Sequence, residues 1–411
     1  MPSATLRRAR LSIGSVFLIH AAVFGSWAPR IPAIKHHVGV GDGGLGAALT
    51  GMAIGLFVGT RIAGRVVDRY GSRGAIRFSA PVLCAALIGP ALAGGLVSLT
   101  AALVVLGLLG GFLDVAMNAQ AVAVERGYGR PIMSGLHGLW SLGLLAGSGG
   151  AAIAATAGAS PTLHFALVAI ALAGTTPLLL RGLLSAEAEV LPAELTPSPA
   201  AGRELLLAPA VLLLGLIAFG SYVAEGAAAD WSAVYLHDDL HTGGGYAATA
   251  FLAFSLTMAA SRFTGDRLVA RFGATRVVRT GAVLAACGLA AGLAIGRPAA
   301  AVAAFAVVGG GLAPVVPVTF SAAGNTGLGP TGVILGRVVT MGYVGSVVGP
   351  VAIGALAEAV GLRAALLVPV ALAVLVAASA RHAATAAGGT RISTPAWPGA
   401  EPYGPANGRS A

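Results

Sequence analysis

Residues 65–71 read RVVDRYG and residues 267–273 read RLVARFG, so Arg65, Arg69 and Gly71 recur as Arg267, Arg271 and Gly273 at an offset of 202, with Tyr70 answered by Phe272. The same offset carries Gly107 onto Gly309, Gly143 onto Gly345 and Gly147 onto Gly349. Matches at one spacing over so long a stretch mark two halves built from one unit. Duplicated halves set among apolar runs are a mark of transporters, with the solute site where the halves meet.

The chain is 56% hydrophobic and 10% charged, with a mean hydropathy of +0.86. That is too little charge to cover a water-facing surface, and the chain is read as a bilayer protein. A spanning helix takes about 20 predominantly apolar residues. Segments of that kind fall at 11–29, 44–63, 75–97, 99–121, 132–157 and 162–181, then at 206–228, 245–262, 276–296, 299–321, 332–359 and 362–381. The expected fold is an all-α integral membrane protein of twelve transmembrane helices in two pseudo-symmetric six-helix halves, 1–181 and 206–382. Residues 182–205 hold Pro192, Pro197 and Pro199 among Glu187, Glu189, Glu194 and Glu204, and read as a cytoplasmic linker. Residues 383–411, rich in Gly, Pro and Ala, read as a disordered cytoplasmic tail.

A net charge of +10 raises the question of nucleic acid. The basic residues answer it by their distribution, since 21 of the 25 lie in alternate loops and only Arg30, Lys35, Arg297 and Arg363 lie opposite. This positive-inside bias puts both termini in the cytoplasm. A nucleic-acid surface would be a contiguous basic stripe interleaved with aromatics, which no segment offers. One lysine against 24 arginines fits a GC-rich bacterial coding sequence, so the expected location is a bacterial cell membrane. The opening run ends in SWAPRIP (26–32), without a small-residue cleavage site, and is read as a span and not a signal peptide. Cys84 and Cys287 fall on different halves and imply neither a disulfide framework nor metal-ligand spacing. No phosphate-binding G-x-x-x-x-G-K-[ST] loop and no nucleophile–base motif occurs. Neither ATP-driven transport, nor an enzyme, nor a cofactor is therefore expected.

At the loop between the second and third spans, GRVVDRYGSR (64–73) matches the G-x-x-x-D-R-x-G-x-R signature of the major facilitator superfamily. Three further stretches, SWAPRIPAIK (26–35), GFLDVAMNAQAVAVER (111–126) and EGAAADWSAVYL (225–236), resemble the MosC/YbjJ-like branch, which is related to the fucose permeases. The resemblance implies alternating access and a small polar solute such as a sugar or cyclitol derivative. It also implies a conformational latch of Gly64, Arg65, Asp68, Arg69, Gly71 and Arg73, closing the inner face in one state and breaking in the other. Asp68 beside a helix end can accept hydrogen bonds from a neighbouring helix N-terminus, where the dipole is positive. The alternative is that these charges only set orientation. The second copy, with Asp266, Arg267 and Arg271, departs from the pattern: Ala270 stands in the place of Asp68 and Asp266 in that of Gly64, which implies a weaker or differently paired latch. GSVVGPVAIG (345–354) resembles an antiporter signature that belongs in the fifth span, where GLLAGSGG (143–150) lacks the proline. Pro350 is therefore read as a helix kink.

Ionisable groups inside spans are costly, about 2.5–3.5 kcal/mol on insertion scales, and are functional candidates by default. Asp114 in the fourth span, with Asn118 one turn on, is a candidate for proton coupling, which the fucose-permease resemblance supports; the alternative is a static pair or helix-end contact. His137 in the fifth span can meet Asp114 as a proton relay or a simple hydrogen-bonded pair, and Trp140 beside it can stack on a sugar ring or pack. His20 in the first span maps by the 202 offset onto Tyr222; both, with Asn118, are read as candidates for substrate contact, the alternative for the aromatic stripe of His20, Phe24 and Trp27 being packing. Tyr222 lies one turn before the lone carboxylate Glu225, a second candidate for binding a proton or a substrate amine. Tyr343 in the eleventh span is read as lining the opposite wall. Trp27 and Trp231 are read as interfacial anchors, with Arg30 paired to an acid such as Asp230.

The function expected is proton-coupled uptake of a small polar solute, its partners being that solute, protons and the lipid bilayer, with no nucleic acid and no obligate protein partner. Proton-antiport efflux of an amphipathic metabolite or drug is the alternative, and a non-transporting membrane sensor a third, for which linker and tail offer no signalling module.

Overall fold

The computed structural model describes residues 3–40, 42–186, 208–242 and 244–388. Most of the linker assigned to 182–205, and the tail from 389 onward, lie outside these described residues. Long helices follow the apolar runs. The first six are α1 (Ala4–Trp27), α2 (Asp42–Tyr70), α3 (Ser72–Ala86, followed by a 3-10 turn at Gly89–Leu92), α4 (Leu96–Tyr128), α5 (Met133–Thr156) and α6 (Pro161–Leu179). The second six are α7 (Pro209–Val234), α8 (Gly244–Phe272), α9 (Ala274–Ile295), α10 (Pro298–Leu312, resumed at Val315–Gly324), α11 (Thr331–Val360) and α12 (Leu362–Ala365 with Leu367–Gly388). Among the described residues, eleven of these are long and apolar enough to cross a bilayer; α8, at 29 residues, is long enough but carries more polar side chains.

Several helices outrun the apolar segments that defined them. α2 continues to Tyr70, α4 to Tyr128 and α8 to Phe272, beyond the expected ends at 63, 121 and 262. At a 1.5 Å rise per residue the 33 residues of α4 reach about 50 Å, against about 30 Å of hydrocarbon. Nothing in their last turns breaks a helix, so they carry their charged ends out of the hydrocarbon. What stops α2 and α8 is the repeated glycine. Gly71 (φ 77°) and Gly273 (φ 82°) are each the single non-helical residue between two helices, in a backbone region where a side chain would be strained.

The packing repeats as the sequence does. α1 lies on α5 and α2 on α4; correspondingly α7 lies on α11 and α8 on α10. The repeated glycines are where these pairs touch. A Cβ at Gly107 would collide with the carbonyl oxygen of Met52 on α2, and one at Gly309 with that of Phe254 on α8. Met52 and Phe254 are themselves 202 apart, so both partners of the contact are duplicated. Backbones this close are what small residues permit where there is no hydrophobic drive between helices. The first and second sets of helices meet along α2 with α11 and along α5 with α8. Around the outside, Ile153, Ile170 and Val351 are 70–71% exposed, an arrangement suited to lipid and not to water.

Three expectations are corrected. Trp27 is 3% exposed and packs 6.4 Å from Phe165, so it is a core residue rather than an interfacial anchor. Arg30 donates to the carbonyl of Ala159, a helix-end acceptor on its own half, and is not paired with the exposed Asp230. α12 continues to Gly388, into the stretch assigned to the tail, because ARHAATAAG is rich in alanine, the strongest helix former. Pro350 lies inside α11, which continues on both sides of it. Cys84 is buried and Cys287 exposed, and both are free.

Candidate functional site

Three sets of polar side chains stand out, two bonded across the halves and one within the first half, and the first is built on Asp114. This carboxylate, 5% exposed on α4, accepts from the Asn118 amide at 3.2 Å on one oxygen and from the Tyr343 hydroxyl of α11 at 3.0 Å on the other. The i, i+4 spacing on one helix explains the Asn118 contact, which is doubled by a 2.8 Å bond from the same amide to the Asp114 carbonyl. Tyr343 stands edge-on to Tyr222 of α7, ring centroids 5.6 Å apart. A carboxylate of one half is thus tied to the aromatic pair of the other. The Asn118 side-chain oxygen is buried without a hydrogen-bond partner.

The second set centres on Arg262, one of the 21 basic residues of the positive-inside bias. Because α8 continues to Phe272, Arg262 is not at a helix end but well inside, 5% exposed. Its guanidinium donates to Ser141 of α5 at 2.9 Å and makes an ion pair with Glu225 of α7 at 3.5 Å. Its carbonyl accepts from Ser134 of α5 at 2.7 Å. The 202 offset carries Thr60 onto Arg262, and Thr60 also crosses between halves, its hydroxyl 2.6 Å from that of Thr340 on α11. Position 60 of α2 and position 262 of α8 therefore do the same job with different chemistry. That offset is the signal by which Arg262 was findable.

The third set fixes the state of His20. The Trp140 indole can only donate, and it donates to His20 Nδ1 at 3.1 Å. Nδ1 is therefore the bare nitrogen, and Nε2 carries the proton that is given to the Gly110 carbonyl at 3.1 Å. Both ring nitrogens are used and the imidazole is neutral in this arrangement. His137 is not joined to Asp114: its ring meets Phe17 edge-on at 5.1 Å and Phe320 at 6.0 Å, and its Nε2 is buried without a partner. The proton relay between the two is not formed.

At the arginine-rich end, each half caps a helix of the other. Asp68 on α2 accepts from the Gly332 and Val333 amides at 2.8 and 3.0 Å, in the first turn of α11. Asp266 on α8 accepts from the Ser134 and Gly135 amides at 2.8 and 2.7 Å, in the first turn of α5. The displaced carboxylate of the second copy makes the same contact from one turn earlier, so the pairing is different in position but equal in kind. Gly64 lets α2 approach α11, since a Cβ there would stand 2.9 Å from the Gly332 carbonyl. Glu125 on α4 accepts from the Ile132 and Met133 amides at 2.8 and 2.9 Å and from the hydroxyl of Ser321 on α10. Arg126 donates to Asn325 at 2.8 Å and to the Gly324 carbonyl. Arg69 and Arg271 instead lie over the neighbouring Tyr70 and Phe272 rings at 5.4 and 5.3 Å, and Arg65 and Arg267 are exposed.

A bundle of duplicated helical halves, joined by polar contacts and capped across one end, has the architecture of a membrane transporter. The sequence profile described as Major Facilitator Superfamily matches residues 13–327 and 231–395. An uncharacterized MFS-type transporter of Yersinia pestis is 33% identical over 374 residues, covering 90% of this chain and 95% of the relative. The membrane protein MosC of Rhizobium meliloti is 32% identical over 365 residues, covering 88% and 86%. The chain belongs to the major facilitator superfamily. Its fold is also that of the transporter FucP in its outward conformation, with a TM-score of 0.73 at 16% identity over 93% of this chain and 99% of the other. A second structure of that protein, described as the E. coli fucose:proton symporter, gives 0.71 at 17% identity over 90% and 97%.

Proposed function

We propose that the protein takes up a small polar solute, sugar-like or cyclitol-like, together with a proton, by alternating access across a bacterial cell membrane with both termini in the cytoplasm. The observation that carries this reading is the Asp114–Tyr343 hydrogen bond, which ties a buried carboxylate of one half to the other half. With both carboxyls ionised, Asp114, Glu225 and Arg262 sum to one negative charge. One proton on Asp114 brings the set to neutrality and lowers the cost of re-exposing it through hydrocarbon. The same proton replaces a charge-assisted bond to Tyr343 by a neutral one of roughly half the strength, loosening the contact between halves. Proton binding and rocking are then one event.

The solute class is supported by polar atoms that lack partners. Asn118 Oδ1 and His137 Nε2 are buried and unbonded, a costly condition that hydroxyl groups of a solute relieve on entering the opened site. The Trp140 ring, held by His20, offers an apolar face beside them. In this reading the closed end, rich in arginine, is cytoplasmic, with Asp68 and Asp266 as its latches. Likeness to the fucose:proton symporter supports the pairing of a polar solute with a proton.

Proteoliposome flux tests the proposal. A panel of sugars and cyclitols is expected to contain a solute accumulated against its gradient when the lumen is alkaline. Asp114→Asn is expected to abolish accumulation while sparing solute exchange at equal concentrations. Gradient-driven accumulation that survives Asp114→Asn overturns the coupling, and flux of amphipathic compounds alone overturns the solute class.

A further inference from the structure

The arginine-rich end holds a feature that the transport path does not use. A cavity of about 640 Å³ opens where the start of α1 meets α5 and the turn after α4. Its mouth carries Arg7, Arg10 and Arg130, and its wall leads away from them along Leu11, Leu18 and Leu139. On α1 the lining residues Arg7, Leu11, Gly14 and Leu18 fall at i, i+4, i+7 and i+11, a single stripe that is cationic at the helix start and apolar further in. Gly14 keeps the groove wide where it narrows toward α5, since a Cβ there would stand 2.7 Å from a Leu139 methyl.

The cations are held in place and under-compensated. Arg10 and Arg130 both lie over the Tyr128 ring, 5.5 and 5.7 Å from its centroid. Among the described residues, Asp266 is the carboxylate that acts on Arg10 and Arg130, and each of its oxygens already accepts a backbone amide of α5. Within those residues, three guanidiniums with one occupied carboxylate leave an excess of positive charge beside an apolar channel. Leu11 at the rim is 74% exposed, so that channel is open at the side.

We propose that this groove binds an anionic phospholipid, the phosphate on Arg7, Arg10 and Arg130 and one acyl chain along Leu11, Leu18 and Leu139. Guanidiniums match phosphate oxygens in geometry as well as charge, and basic clusters at a membrane surface favour anionic lipid. A free phosphate would satisfy the arginines but not the apolar wall, and a zwitterionic lipid would satisfy the wall but not the net charge. The bound lipid would pin the start of α1 against the α5 end that Asp266 caps, and so favour the arginine-closed state. The proposal does not depend on the solute or on proton coupling.

The test is binding of phosphatidylglycerol to the purified full-length protein, read by native mass spectrometry and by the thermal midpoint, against phosphatidylcholine and inorganic phosphate. Phosphatidylglycerol alone is expected to be retained and to raise the midpoint. Arg10→Gln with Arg130→Gln is expected to weaken it roughly 30-fold, from the loss of two surface cations. Ser15→Trp, which fills the groove but keeps every arginine, is expected to abolish retention. Arg8→Gln, an exposed neighbour that does not line the groove, is expected to retain it. Comparing the two lipids within each variant separates binding from folding. Equal retention of phosphatidylglycerol and phosphatidylcholine, an equal midpoint rise with phosphate, or unchanged binding in both groove variants overturns the proposal.

Discussion

The displaced latch makes a quantitative prediction. Asp266 accepts two amides of α5 at 2.8 and 2.7 Å, whereas an asparagine keeps one acceptor and turns an amide group toward the second N–H. The substitution removes one charge-assisted bond, about 1.5–3 kcal/mol, and the favourable meeting of a negative charge with a helix N-terminus, about 0.3–1 kcal/mol. The contact joins α8 to α5, across the halves, so the cost of about 2–4 kcal/mol falls on the arginine-closed state alone. A closed state preferred about 100-fold, or about 2.7 kcal/mol, would then fall to comparable or minor population. Spin labels at Gly74 and Arg276, both exposed and 202 apart, report the separation of the halves by pulsed electron resonance in a background lacking Cys84 and Cys287. Asp266→Asn is expected to add a longer distance, and Asp68→Asn to add one of similar weight. If Asp68→Asn opens that end while Asp266→Asn leaves the distances unchanged, the displaced carboxylate is a local cap and not a latch.

Three further outcomes follow from the same contacts. Arg262→Met strands Glu225 and is expected to cost about 3–5 kcal/mol, seen as a lowered thermal midpoint that Glu225→Gln partly restores; failure of the second substitution to restore any stability refutes the pairing. Trp140→Phe keeps the packing but removes the donor to His20 Nδ1, at about 1 kcal/mol, and nitrogen NMR of His20 is expected to show the Nε2–H tautomer fixed in the parent and mixed in the variant. Gly107→Ala and Gly309→Ala are each expected to cost about 1–3 kcal/mol of stability through backbone collision, seen as a lowered midpoint, while Gly74→Ala, with open space around it, leaves the midpoint unchanged.

The sequence disclosed most where one residue type has one physical use. Gly71 and Gly273 had to turn the chain, Gly107 and Gly309 had to admit a neighbouring backbone, and arginines had to avoid hydrocarbon; each constraint acts locally and survives duplication intact. The site was less legible because its contacts join residues far apart in the chain. Asp114 stands out as a charge in an apolar run, but its bond to Tyr343 spans 229 positions, and the sequence does not tell which way the helix faces of Asp114 and His137 turn. Arg262 was hidden differently. A span drawn by hydropathy ends at the first charge, so a charge that belongs inside is read as a boundary, and the continuing helix beyond it went unseen.

The two halves did not preserve side chains so much as the places where they cross. Thr60 and Arg262 share a position, yet one meets Thr340 as a neutral hydroxyl pair and the other reaches Ser141 and Glu225 as a cation. Asp68 and Asp266 share a task from positions a turn apart. The α2–α11 crossing is thus joined at Thr60 by a neutral contact, and the α5–α8 crossing at Arg262 by a charged one. A proton on Asp114 acts first on the bond to Tyr343, which joins α4 to α11, and not on Glu225 and Arg262. Rocking driven by that proton is therefore expected to begin at α4 and α11, with α5 and α8 as the pivot. Labels across α4–α11 should separate at lower proton concentration than labels across α5–α8, and simultaneous separation of both would show that the halves move as rigid bodies from the first step.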